Sequence, residues 1–229
     1  MKLHLILKKQ ETPDVESFQF QPAEPLTWKP GQFLHYVLHH EPTDNRGSDR
    51  WFTVSSAPHE GHVMITTRFT AVQGSSFKTA LAGLKVGDAI EVSDIDGDFT
   101  IEDTNASYVF IAGGIGVTPF RSILKDAEHA GVKLNVTLLY ANRDENIPYK
   151  TELELMAKQN SGLKIHYFLG PKRIDDAAIR NLVPDLSKPH FYVSGPEPMV
   201  EAFGPMLQSM GVPKEHIRQD WFPGYPAEL

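Results

Sequence analysis

Short alternations of apolar and polar residues fill the first hundred positions, and a different rhythm takes over after about residue 105. Segments 3–7, 15–20, 32–39, 51–55, 62–69 and 89–92 are short and rich in β-branched and aromatic residues. Pro, Gly, Asp and Asn separate them, so each is expected to be a strand. Their spacing, with little helical-period sequence between, predicts a sandwich or small barrel. One short helix is expected, over 76–84, before the turn Val86-Gly87-Asp88.

Residues 108–112, Tyr-Val-Phe-Ile-Ala, form a wholly apolar run, as a strand buried on both faces requires. A glycine cluster follows, then a helical period over 119–130. Strands are expected at 134–140, 163–169, 191–193 and 216–220, and helices at 150–159, 175–181 and 197–210. Such alternation implies right-handed crossovers and a doubly wound parallel sheet covered on both faces. The polar bridge Glu102-Asp103-Thr104-Asn105 marks the expected boundary, giving domains over 1–102 and 103–229.

Composition narrows the chemistry. With 229 residues, 41% hydrophobic and 22% charged, the chain has material for two ordinary globular cores. A net charge of −7 argues against a nucleic-acid footprint or an anionic-membrane surface. Zero cysteines leaves these residues no disulfide, no thiolate nucleophile and no cysteine-ligated cluster or zinc. Any electron carrier held by these residues is therefore expected to be a bound organic cofactor. The apolar stretch near the N-terminus is too short for a signal peptide, and no run approaches the length of a spanning helix. A cytoplasmic protein is expected.

Three segments carry candidate chemistry. Gly113-Gly114-Ile115-Gly116-Val117-Thr118-Pro119 follows the apolar strand and opens a helix. Glycines there let the backbone turn tightly and let a pyrophosphate approach the helix N-terminus, though an ordinary strand-to-helix turn would read the same way. Ser194-Gly195-Pro196-Glu197-Pro198-Met199 is a second strand end running into a helix. It is either the opposite wall of a ligand crevice or a Pro-initiated helix with Met199 in the core. Arg50-Trp51-Phe52-Thr53 combines a phosphate fork, rings to stack on and a hydroxyl, or is an amphipathic strand with its charge in solvent.

Taken in order, these segments resemble the ferredoxin–NADP reductase superfamily along essentially the whole chain. Pro30-Gly31-Gln32-Phe33, Gly74-Ser75-Ser76 and Leu84-Lys85-Val86-Gly87-Asp88 add to the likeness. The resemblance implies an N-terminal antiparallel Greek-key β-barrel that binds flavin and a C-terminal α/β domain that binds NAD(P). It implies a hydride passing from NAD(P)H to N5 of FAD, with FMN less favoured, and then electrons to an acceptor. In that pattern Arg50 meets the flavin phosphates, Phe52 (beside Trp51) packs on the isoalloxazine, and Thr53 lies near N5. Thr66 and Arg68 meet the ribityl chain and phosphates, and Gly74, Ser75 and Ser76 hold the pyrophosphate. Gly114, Gly116, Thr118 and Pro119 would hold the dinucleotide, with Gly195, Pro196 and Met199 opposite. Ser194 stands beside the nicotinamide where many relatives carry Cys, so Thr53 and Ser194 are the expected catalytic positions.

Coenzyme choice is expected at Asn142 and Arg143, where Asp144 and Glu145 add negative charge and favour NADH over NADPH. Trp221, Phe222 or Tyr225 is a candidate shield for the flavin face, or packs at the last strand. The His39-His40 pair and His59 with His62 lack an arrangement suited to a metal, and none is expected. The acceptor can be a ferredoxin, flavodoxin, cytochrome or small molecule. The rival reading is a flavin-binding electron-relay subunit active only inside a complex.

Overall fold

The computed structural model describes residues 1–69 and 74–222. The chain divides into two compact units, Met1–Thr100 and Ile101–Leu229.

The first unit contains β1 (Lys2–Thr12), β2 (Val15–Pro22), β3 (Phe33–Val37), β4 (Asp49–Thr53), β5 (Val63–Arg68), α1 (Ser76–Gly83) and β6 (Ala89–Asp96). All strand pairs are antiparallel, in the order β4-β3-β6-β1-β2-β5. Period-2 alternation sends Leu3, Leu5, Phe18, Phe20, Leu34 and Tyr36 into one core. Phe77 and Leu81, one helical turn apart on α1, enter the same core. Just past β4, the Ser55 amide donates to the Met64 carbonyl of β5 at 2.9 Å, and the Met64 amide donates to the Ser56 hydroxyl at 3.0 Å. These bonds bring the two ends of the sheet together and curl it into a half-barrel, with β6 returning beside β3 in Greek-key fashion.

The second unit contains β7 (Ser107–Gly113), α2 (Thr118–His129), β8 (Asn135–Asn142), α3 (Lys150–Gln159), β9 (Leu163–Leu169), α4 (Asp176–Leu182), β10 (His190–Pro196), α5 (Glu197–Ser209) and β11 (Ile217–Phe222). Its five strands are all parallel in the order β11-β10-β7-β8-β9. The central strands β7 and β10 are buried along nearly their whole length, while the edge strand β9 is only half-buried. That is the signature of a sheet covered on both faces. Phe110 of β7 stacks on Phe120 of α2 at 4.5 Å. From β7 the chain winds outward to β8 and β9, then crosses back to β10 on the other side of β7. The winding therefore reverses between β7 and β10, where ligand crevices form in such sheets. Among the described residues no helix is long and apolar enough to cross a membrane.

Candidate functional site

In the first unit, alternation along β4 splits the Arg50–Thr53 motif between two faces. Arg50 and Phe52 turn toward α1, with the Arg50 guanidinium 5.5 Å and the Phe52 ring 5.8 Å from the Phe77 ring. Trp51 turns the other way, stacked on His35 at 4.6 Å and edge-on to Phe33 at 5.3 Å, and is 47% exposed. Thr53 shares that second face but is buried, and its Oγ1 has no hydrogen-bond partner among the described residues. Because β4 is laddered only to β3, a flat ligand along its other edge can touch both faces at once.

Arg50 is held in place by backbone. Its Nη1 donates to the carbonyls of Arg46 at 2.6 Å, Gly47 at 3.3 Å and Asp49. Its Nη2 is buried and has no hydrogen-bond partner among the described residues, the nearest carboxylate being Asp44 at 3.8 Å. Burial pulls the guanidinium below its ordinary pKa, and the Asp44 carboxylate works against that. An unpartnered, fixed guanidinium nitrogen suits a phosphate oxygen.

The Gly74-Ser75-Ser76 turn opens α1 as expected, but two of its polar groups are already engaged. Ser75 caps the helix, its hydroxyl accepting from the Lys78 amide at 3.1 Å. The Ser76 amide donates to Asp44 Oδ2 at 2.8 Å. Thr66 and Arg68 are engaged inside the barrel too. The Thr66 hydroxyl lies 2.8 Å from that of Ser17 and 3.0 Å from that of Ser55, and Arg68 donates to Asp14 at 2.5 Å. Sequence reasoning missed Asp44 and the Tyr36 hydroxyl, which is fully buried without a partner among the described residues. Burial pushes that phenol far above its usual range.

In the second unit the two predicted loops meet at the reversal point. A β-carbon on Gly116 would overlap the Ser194 carbonyl, and one on Gly113 would overlap the Met199 sulfur. These glycines are therefore needed by the close approach of the two strand ends, while Gly114 supplies the turn with φ +52°. The Thr118 hydroxyl is committed locally, donating to the Ile115 carbonyl at 3.1 Å, and Pro119 lies in the first turn of α2. Ser194 is completely buried, and its Oγ lacks a hydrogen-bond partner among the described residues.

Beside this point, across the carboxyl ends of β8, β9 and β10, lies a cavity of about 300 Å³. Asn142, Pro196 and Met199 line it. Both polar atoms of the Asn142 amide are buried without partners there, among the described residues, although the residue is only 5% exposed. Arg143 is exposed and outside the lining, as are Asp144 and Glu145. The sequence reading passed over Lys172 and Arg173, which follow β9 and do line it. Their signal was a basic pair after Gly170-Pro171 at a strand end. Phe222 is described only as the last residue of β11, Trp221 is 52% exposed, and Tyr225 falls outside the described residues.

Residues 110–204 match the family model of the oxidoreductase NAD-binding domain. The reductase component of propane 2-monooxygenase from Rhodococcus jostii is 30% identical over 92% of this chain and 60% of its own length. The cytochrome b5 reductase domain of Ulva prolifera nitrate reductase superposes with a TM-score of 0.82 at 25% identity, over 96% of each chain. The FAD/NAD-binding domain of nitric oxide dioxygenase from Vibrio cholerae gives 0.83 at 23% identity, over 96% of this chain and 98% of that one. The chain spans about three fifths of the length of the first curated relatives it matches, between 58% and 63%. With a curled antiparallel sheet in one unit and, in the other, a parallel sheet that reverses between β7 and β10, the chain has the fold of the FAD/NAD-binding reductase modules it superposes on, and its second unit matches the oxidoreductase NAD-binding domain.

Proposed function

We propose that the chain is a flavin-dependent NAD(P)H oxidoreductase that binds FAD in its barrel and a nicotinamide dinucleotide in its α/β unit. The observation that carries the reading lies on β4. Within four residues it gathers a fixed guanidinium with one nitrogen that makes no hydrogen bond among the described residues, a half-buried ring and a buried hydroxyl that makes none there either. These groups fit a flavin: Arg50 for a phosphate oxygen, Phe52 for the ring system and Thr53 for a ring heteroatom. A flavin held there would supply the redox chemistry, as a hydride acceptor at N5 and a donor of electrons to the acceptor.

The protein's part is binding and orientation. Gly114 and Gly116 keep the loop before α2 close to the sheet, so that the amides at the start of α2 are presented to a pyrophosphate. Ser194 offers a hydroxyl in a buried place, suited to orienting a carboxamide without the polarisable sulfur of a Cys. Gly195, Pro196 and Met199 form the opposite wall, and Asn142 offers a donor and an acceptor side by side.

Coenzyme choice follows the cavity lining. Lys172 and Arg173 line it and no carboxylate does, which favours the 2′-phosphate of NADPH over the NADH expected from Asp144 and Glu145. Alanine at both positions should lower kcat/KM for NADPH by about tenfold or more while leaving NADH within about twofold. Equal loss with both coenzymes would remove the 2′-phosphate assignment. The name of the Rhodococcus relative, a monooxygenase reductase component, supports electron delivery to a partner protein as the second half of the cycle. NADPH-dependent reduction of ferricyanide by the isolated chain tests independence from such a partner. A reducible flavin that a dye can reoxidise supports the free enzyme, and a flavin that the coenzyme cannot reduce supports the relay subunit.

A further inference from the structure

The start of α1 already holds an anion, and it comes from the protein. The segment between β3 and β4 folds Asp44 onto the helix, where its Oδ2 accepts from the Ser76 amide at 2.8 Å. The contact is reciprocal, because the Asp44 amide donates to Ser76 Oγ at 3.0 Å. The Ser76 hydroxyl is oriented further by His40, whose Nε2 lies 2.8 Å away while its Nδ1 bonds the Leu38 carbonyl at 2.6 Å. Arg46 adds two donors to Asp44 Oδ2, from Nη2 at 2.8 Å and Nε at 3.2 Å, and its amide donates to Oδ1 at 2.9 Å. Arg50 Nη2 faces the other carboxylate oxygen at 3.8 Å. Together, a helix-start amide and two arginines surround the carboxylate.

This is the donor set that a phosphate oxygen requires. Two anions cannot share it: at contact distance their repulsion opposes binding, and each amide hydrogen has one good acceptor. We propose that Asp44 is an internal competitor of the flavin phosphates, holding the Ser76 amide and the two arginines until the cofactor's phosphate takes its place. The inference rests on the flavin reading above and deepens it. Asp44 thereby sets how tightly a phosphorylated flavin is held, and it does so for the phosphate end alone. The ring-facing groups Phe52 and Thr53 make no contact with Asp44 among the interactions described, so an unphosphorylated flavin is indifferent to it.

The test is a set of titrations of flavin-stripped full chain with FAD, FMN and riboflavin, followed by quenching of flavin fluorescence. Asp44→Asn keeps an acceptor for the Ser76 amide and removes the charge, and Asp44→Ala removes both. In each variant FAD should bind about tenfold more tightly than in the wild type, the scale of one charge-assisted hydrogen bond. FMN should gain by a similar or smaller factor, and riboflavin should stay within about twofold. Agreement between the variants assigns the gain to the charge. Unchanged or weaker FAD binding in Asp44→Asn, with riboflavin still bound, overturns the role of Asp44 and leaves the flavin reading standing. Absence of quenching with every flavin in every protein overturns both.

Discussion

At the residue scale, the groups that define the site are those whose bonding is incomplete. Buried hydroxyls and amides are nearly always paired, so Thr53, Ser194 and Asn142, which lack partners among the described residues, are the positions proposed to meet a ligand. Removing an unpartnered hydroxyl strands nothing in the folded protein. Thr53→Ala should therefore leave the thermal midpoint within a degree or two while slowing flavin reduction by about tenfold to a hundredfold in rapid mixing. A large stability loss with unchanged reduction would show that Thr53 is only a packing residue. Gly116 makes the opposite prediction. A methyl there meets the Ser194 carbonyl backbone, which cannot rotate away, so Gly116→Ala should cost about 2 kcal/mol or more in denaturant unfolding. A value below about 0.5 kcal/mol would mean that the two loops can separate freely.

At the element scale, α1 is positioned by two acceptors at its start, the Ser75 hydroxyl and the Asp44 carboxylate. Ser75→Ala should destabilise the barrel by about 1 kcal/mol through loss of the cap, measured by chemical denaturation. Hydrogen bonds from the Ser76 amide and from Arg46 hold the Asp44 carboxyl well below the usual aspartate range. A carboxylate depressed in the folded state stabilises folding above its unfolded pKa and loses that contribution as the pH falls through the folded one. Asp44→Asn should therefore differ from the wild type in stability near about pH 7, and the difference should begin to shrink below about pH 4 and close only as the pH falls through the depressed folded-state value. A difference that persists unchanged into acid would mean that the carboxylate's charge is immaterial there.

The elements themselves were legible because their periods are unambiguous. The wholly apolar run beginning at Tyr108 can be little else but a central strand, and the alternation in β3 exposes its barrel face directly. What escaped was contact at a distance. Nothing in the local pattern around Asp44 announces that it folds onto a helix start 32 residues away. The strand-end pair Lys172-Arg173 reads as a solvated turn until β8 and β10 are set beside it. The glycines at 113–116 were legible as a tight loop, but not as a surface cut to receive another strand end.

At the scale of the whole molecule, two units of different architecture divide the labour proposed here. Among the described residues, the barrel presents groups without hydrogen-bond partners along β4, and the parallel sheet presents them where its winding reverses. Neither set is sufficient alone, since a flavin without a dinucleotide has no hydride source and a dinucleotide without a flavin has no acceptor. The central claim is that the one reduces the other on this chain. Anaerobic mixing of the flavin-loaded protein with a stoichiometric amount of NADPH, followed through the flavin's visible absorption band, tests it most directly. Rapid bleaching of the band is expected, slowed in Thr53→Ala and, for NADPH more than for NADH, in the Lys172/Arg173 double alanine variant. A protein that binds no flavin, or whose bound flavin stays oxidised with both coenzymes, would contradict it.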